Sequence, residues 1–413
     1  MLLQTNYTQR SYIFLQTVLL VISPLTSLLV SIRYFKYTAS QVFIVLFAFY
    51  FGYHYSFVHD LMRHYMDMIH LYPGRSLIDV LNDKRAYLIG ADYYHIFYKY
   101  IFTRFSTSHR VFGGVTCAIH FGLLLFVLRQ FKEYYKQREL TAGEIASLVT
   151  VACAYQFVMY QGIRFWVGCF FFLGFYLKYV NTGKIRYLII SCFCFVAHFS
   201  LFTLTMVAIV EFFIKSKFYK TRFVILITAL CARAYSFDFR TFAYQHIPFL
   251  TSFGNNEYNE YRFNSIYETT LGFRENVNKF YEYRNDFIIA LGFIVLFFLY
   301  RRHCVFPAKY HKLFCFFLTL FTIVNFGYSD HSFFWRFEMY TIMLLYSFIF
   351  IVLFFNHNKL NGIKASLFIL IFLAASYAIL TAIVQQRNLL FDPEMILGNV
   401  FIDYDGTVAH PPT

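Results

Sequence analysis

The chain has 413 residues, of which 59% are hydrophobic and only 14% charged, with a formal net charge of +14 at pH 7. A mean hydropathy of +0.52 excludes an ordinary soluble domain and points to an integral membrane protein. The basic residues fall mostly in short loops between apolar stretches, where they set orientation and meet anionic headgroups. Membrane lipid is therefore an expected partner, and nucleic acid is not.

The apolar stretches predict an all-α fold, a polytopic transmembrane helical bundle of about 10–12 spans. In chain order they cover 12–32, 39–58, 111–128, 144–160, 165–180, 187–214, 222–237, 286–300, 312–328, 337–355 and 363–384. The first is long enough to span, so no cleavable signal peptide is expected. Residues 59–110 and 238–285 are polar, Tyr-rich and Cys-free, and read as two long outer loops, the first carrying short helices. Residues 385–413 read as an outer C-terminal tail, and the whole as a single integral membrane domain. Most of the eight cysteines lie in apolar spans and none forms a CxxC pair, so neither a metal site, a redox site nor structural disulfides are expected.

The segment 187–214 is anomalous. As one helix its 28 residues would reach about 42 Å, against a hydrocarbon core of roughly 30 Å. Basic clusters flank both ends, and AHFS (197–200) interrupts it. Read as a re-entrant hairpin with His198 at its apex, it leaves 19 of the basic residues in the segments between spans on the cytoplasmic side and 14 outside; read as one tilted span, it leaves 15 of them inside and 18 outside. The hairpin obeys the positive-inside tendency. It places both termini and both long loops on the outer side.

With that orientation the polar groups near the outer face form a short set. Asp60, Arg63, His64 and Asp67 recur at i, i+3, i+4 and i+7, one face of a helix. Arg164 sits in YQGIRFW (160–166), a tight outer turn, and His198 in the hairpin apex. His331 and Arg336 lie with Asp330 and Glu338 in YSDHSFFWRFEMY (328–340), and Arg233 lies inside the seventh span. An arginine in a span is costly and finds a partner or a task. The planar fork of arginine suits two oxygens of a phosphate, and without a dense carboxylate set to hold Mg²⁺ the inferred chemistry neutralises charge with arginine. VFIDYDGTV (400–408) matches the DxDGT signature of aspartyl-phosphate phosphatases, but only five residues follow Val408, too few for the domain that motif serves.

The tract Gln161–Phe202, with GIR opening a span, a basic turn and then AHFSLF, resembles the central signature of the EpsG/Wzy-type polymerases of polysaccharide repeat units. HDLMRHYMD (59–67), ADYYHIFYKYIFTRFS (91–106), which contains Asp92, and WRFEMY (335–340) are similar to other stretches of that family, in order and spacing over about 60–400. The chain departs from it in having Arg164-Phe165 where the family often has Arg-Gln, and in its unusually aromatic spans.

The resemblance implies a glycosyltransferase of the bacterial cytoplasmic (inner) membrane. It would join undecaprenyl-pyrophosphate-linked oligosaccharides into a surface polysaccharide on the periplasmic or exterior face, without a cofactor, with a chain-length regulator as a further partner. Arg164 and Arg336 would clamp the pyrophosphate and His198 or Asp60 would serve as base. Arg63, His64, Asp67, Asp92, His331 and Arg233 would contact substrate. Two other readings remain: a membrane glycosyltransferase using another lipid-linked sugar, and a lipid-linked glycan flippase or transporter.

Overall fold

The computed structural model describes residues 2–35, 37–54, 60–82, 93–132, 134, 139–154, 162–214, 219–235, 284–329, 331–357 and 364–385. These residues are almost entirely helical, with no strand among them. The long expected loop 238–285, except for its last two residues, and the tail 386–413 lie outside them, as does Asp92.

The α-helices are α1 (Leu2–Ile22), α2 (Pro24–Arg33), α3 (Thr38–His54), α4 (Asp60–Leu71), α5 (Leu77–Asn82), α6 (Tyr93–Thr103), α7 (His109–Arg129) and α8 (Ala142–Ala154). They continue with α9 (Phe165–Thr182), α10 (Ile185–Cys192), α11 (Phe202–Phe213), α12 (Tyr219–Ala234), α13 (Arg284–Arg301), α14 (His311–Phe326), α15 (His331–Phe355) and α16 (Lys364–Gln385). Two of them, His109–Arg129 and Phe333–Phe355 within α15, are long and apolar enough to cross a membrane.

The first expected span is two helices. Pro24, lacking an N–H, starts α2 after Ser23, as proline at a first helical position does. The overlong segment is also broken. α10 ends at Cys192 and gives way to 3₁₀ turns at Phe193–Val196 and Phe199–Leu201, with Ala197 and His198 between them, before α11 begins. The two ends of this interruption meet: Thr205 Oγ1 donates to the Cys192 carbonyl at 2.8 Å, and Cys194 Sγ lies 3.6 Å from both the Leu201 carbonyl and Thr205 Oγ1.

The chain forms two compact units. The first is Met1–Gln137, Gln156–Thr205 and Ile383–Thr413; the second is Arg138–Tyr155 and Met206–Ala382. In the first, α7 packs between α3 and α9, and α10 returns along α9. Gly52 of α3 allows the closest approach to α7, since a Cβ there would stand 2.6 Å from Cys117 Cβ and meet the Gly113 carbonyl. Polar ties fix register: Ser27 Oγ donates to Gln16 Oε1 at 2.8 Å, and Asn181 of α9 donates to the Gln130 carbonyl at 3.0 Å while accepting from Tyr134 at 3.1 Å. A reciprocal capping box of Ser76 and Asp79 starts α5, each main-chain N–H reaching the other's side-chain oxygen at 3.1 Å. Tyr72, Val80 and Ile96 form a small core beneath α4, α5 and α6.

In the second unit α15 is the central element, buried along most of its length, with α8, α13 and α14 against it and α12 against α14. Glu211 of α11 and Arg222 of α12 are both buried and pair through two bonds of 2.9 and 2.6 Å, while Thr319 of α14 donates to the same carboxylate at 2.5 Å. Losing one partner of such a pair leaves an unpaired buried charge and costs about 3–5 kcal/mol, whereas replacing both with apolar groups of similar volume is far milder. Arg222→Met is therefore expected to destabilise the chain by about that amount, and Glu211→Leu combined with Arg222→Met to recover most of it. Denaturant unfolding in detergent micelles measures both.

Candidate functional site

The structure gathers the sequence-predicted residues into two sets, one in each unit. In the first unit α4 carries the Asp60–Asp67 face. Asp60 opens the helix with its side chain outside the described residues, Arg63 is exposed, His64 is buried, and Asp67 is half-buried. Asp67 binds Lys99 of α6 at 3.1 Å. Lys99 was not singled out in the sequence reading, yet its side chain is only 2% exposed and lies 5.9 Å from the centre of the Tyr72 ring. His95, one turn before Lys99, is buried as well, its ring 5.7 Å from that of His64.

Lys99 lies within electrostatic reach of Arg63 and Arg164. Arg164 is 7% exposed and occupies the N-cap position of α9, at the positive end of that helix. Cations from α4, α6 and the start of α9 therefore share one neighbourhood. Burial pushes the Lys99 amine down from its ordinary value to about 8; the Asp67 carboxylate opposes the shift and the two arginines add to it.

His198 stands beside the same helix start. Its ring lies 5.8 Å from that of Phe165, the first residue of α9, edge to face. The Ser200 main-chain N–H donates to His198 Nδ1 at 3.2 Å, and Ser200 Oγ is 2.8 Å from the same nitrogen. A main-chain N–H can only donate, so Nδ1 is the accepting nitrogen and the neutral ring carries its proton on Nε2.

Gly168, one turn into α9, is what lets the broken segment approach. A Cβ there would stand 3.0 Å from both Ala197 Cβ and the Cys194 carbonyl, and would collide with Leu201. Arg164 and His198 are thus held by one helix turn and one glycine contact.

In the second unit Arg233, in the last turn of α12, donates to both oxygens of Asp286 at 2.9 and 2.6 Å and to Asn325 at 3.1 Å. Its guanidinium lies 4.6 Å from the Tyr328 ring centre and 4.5 Å from that of Phe334. Glu338, 1% exposed, is 3.7 Å from Arg233 and accepts from Asn285 at 3.0 Å. Arg336 is half-buried two residues before Glu338, about 200° around α15 from it. His331 opens α15 with its side chain outside the described residues. Asp286, Asn285 and Arg284 went unnoticed in the sequence because they stand at the border of a polar segment and an apolar one, where charged residues usually meet water.

Among the described residues no group of three or more histidine, cysteine or acidic side chains could hold a metal.

Two outcomes follow for the first unit. Gly168→Ala is expected to cost about 1–3 kcal/mol by overpacking, while Gly122→Ala, where a Cβ meets nothing within 4 Å, leaves stability unchanged or slightly raised. Thermal unfolding distinguishes them. Between pH of about 8 and the ordinary lysine value of 10.5 the folded chain has released the Lys99 proton and the unfolded chain retains it, so Lys99 contributes a rise of stability with pH in that window. Lys99→Met removes the rise, and melting temperatures measured from pH 7 to 10.5 report it.

No protein-family model, curated protein or solved structure matches this chain.

Proposed function

We propose that this protein is a polytopic membrane glycosyltransferase that joins lipid-pyrophosphate-linked oligosaccharide repeat units on the outer face of a bacterial cytoplasmic membrane. The observation that carries the reading is the gathering of Arg63, Lys99 and Arg164 about the start of α9, with His198 against the same helix turn. The resemblance of Gln161–Phe202 and its flanking motifs to the EpsG/Wzy-type polymerases supplies the reaction. The membrane setting is supported by the composition, by the two spanning-length helices and by the apolar side chains left open to the surroundings, such as Phe213, Val224, Ile227 and Phe297.

In this reading an acceptor sugar hydroxyl attacks the anomeric carbon of the donor. The bond from that carbon to the pyrophosphate oxygen breaks, and the departing group takes the electron pair. Cations fixed in place before the reaction stabilise that developing charge without reorganising, and the positive end of α9 adds to their effect. The acceptor's proton goes to a carboxylate or an imidazole. Ser200 occupies His198 Nδ1, so His198 offers a donor from Nε2 and Asp60 is the base.

Purified protein in lipid nanodiscs, supplied with an undecaprenyl-pyrophosphate-linked repeat unit, is expected to give a ladder of polymer. Arg164→Ala is expected to lower the rate about 100-fold or more, the range found for removing one positioned charge-stabilising group. His198→Ala is expected to impair the rate too. Activity also falls as pH passes about 8 and Lys99 loses its charge, and Lys99→Arg, which stays charged, flattens that limb. Full-length polymer from a chain lacking both Arg164 and His198 would refute the assignment.

A further inference from the structure

The second unit holds a buried arginine whose hydrogen-bonding capacity is mostly unused. Arg284 is 1% exposed, at the first position of α13. One of its nitrogens, Nη2, donates to the Cys153 carbonyl in the last turn of α8 at 3.2 Å. Nε and Nη1 are buried with no hydrogen-bond partner, and Arg284 makes no ion pair among the described residues. Asp286, two residues on, is bound instead by Arg233 through both of its oxygens.

An unmet acceptor lies beside these unmet donors. Asn285 gives its Nδ2 to Glu338 Oε2, which leaves Asn285 Oδ1 without a hydrogen-bond partner among the described residues, while Glu338 Oε1 makes no hydrogen bond there but faces Arg233 at 3.7 Å. Glu338 also acts electrostatically on Arg284. All of these groups collect at one end of the helices that carry them: the last turn of α8, the first turn of α13 and the second turn of α15. Capping α8 uses one N–H of Nη2 and explains neither the Nε and Nη1 donors nor the unpartnered Asn285 oxygen. Arginine presents Nε and an Nη as a flat two-donor edge, which matches two oxygens of an oxyanion. The adjacent amide oxygen of Asn285 calls for a hydroxyl donor from the same ligand.

We infer that Arg284 and Asn285, with Asn285 held in place by Glu338, form a binding site for an oxyanion that also carries hydroxyl groups. Inorganic phosphate and the carboxylate of a uronic acid sugar share that chemistry. The site lies in a different unit from Arg164 and His198 and stands whether or not the glycosyl-transfer reading does.

The test is equilibrium dialysis and thermal shift of the full chain in detergent, with inorganic phosphate, glucuronate and glucose as probes. Phosphate or glucuronate is expected to bind and raise the melting temperature, and neutral glucose to do neither. Glucuronate binding more tightly than phosphate assigns the site to an acidic sugar, and the reverse order assigns it to phosphate. Arg284→Met is expected to weaken binding about tenfold or more, and Arg284→Lys, which keeps the charge but loses the fork, to weaken it less while preserving the fold. Arg164→Ala is expected to retain binding. Binding that survives both Arg284 variants but is lost in Arg164→Ala belongs to the start of α9 and overturns the proposal. So does failure of both anions to bind the folded wild-type chain.

Discussion

Arg233 joins the ends of three helices: it sits on α12, holds Asp286 of α13 with both terminal nitrogens and reaches Asn325 of α14, while Glu338 of α15 lies just beyond. The rest of the second unit depends on ties of this kind. Helices rich in Phe, Leu and Ile present apolar surface on every side, and such surface does not distinguish one neighbour or one register from another. A buried ion pair does, because a shift by one residue strands both charges. Glu211 with Arg222 and Thr319 does the same for α11, α12 and α14. In the first unit neutral ties join Gln16 with Ser27 and Asn181 with Gln130 and Tyr134, and the ion pair of Lys99 with Asp67 joins α6 to α4. Polar residues in these helices select an arrangement more than they add stability.

Most of the helices could be read directly from hydropathy. The stretches expected at 39–58, 111–128, 165–180, 286–300 and 312–328 each lie within a few residues of a helix, since a run of apolar residues between polar turns has few other stable forms. Two features depended on local chemistry. Ser23-Pro24 splits the first stretch, and the interruption at 193–201 falls where length and the AHFS sequence marked it. The division into two compact units was not legible, because it rests on contacts between residues far apart in the chain.

The candidate site was legible in part. The spacing of Arg63, His64 and Asp67 placed them on one helix, and α4 carries them. Lys99 was missed because a lysine among tyrosines reads as a side chain stretched toward water. The available signal was its spacing from Ile96 and Phe102, which puts it on the buried face of α6 with His95. Arg233 was expected to find a partner or a task, but that the partner would be Asp286, 53 residues away, had no local trace. The role of Ser200 was similarly hidden, because which ring nitrogen of His198 it engages follows from the shape of a turn.

The contact at Gly168 has a mechanical consequence. α9 carries Arg164 at its head and, one turn on, abuts the 194–201 stretch that bears His198. The two groups are therefore mounted on one stiff lever. If α9 shifts along its axis, the close contact at Gly168 carries the 194–201 stretch with it. Thermal breathing of the surrounding helices would then alter access to the pair far more than the spacing within it. The absence of a single methyl group is what couples them.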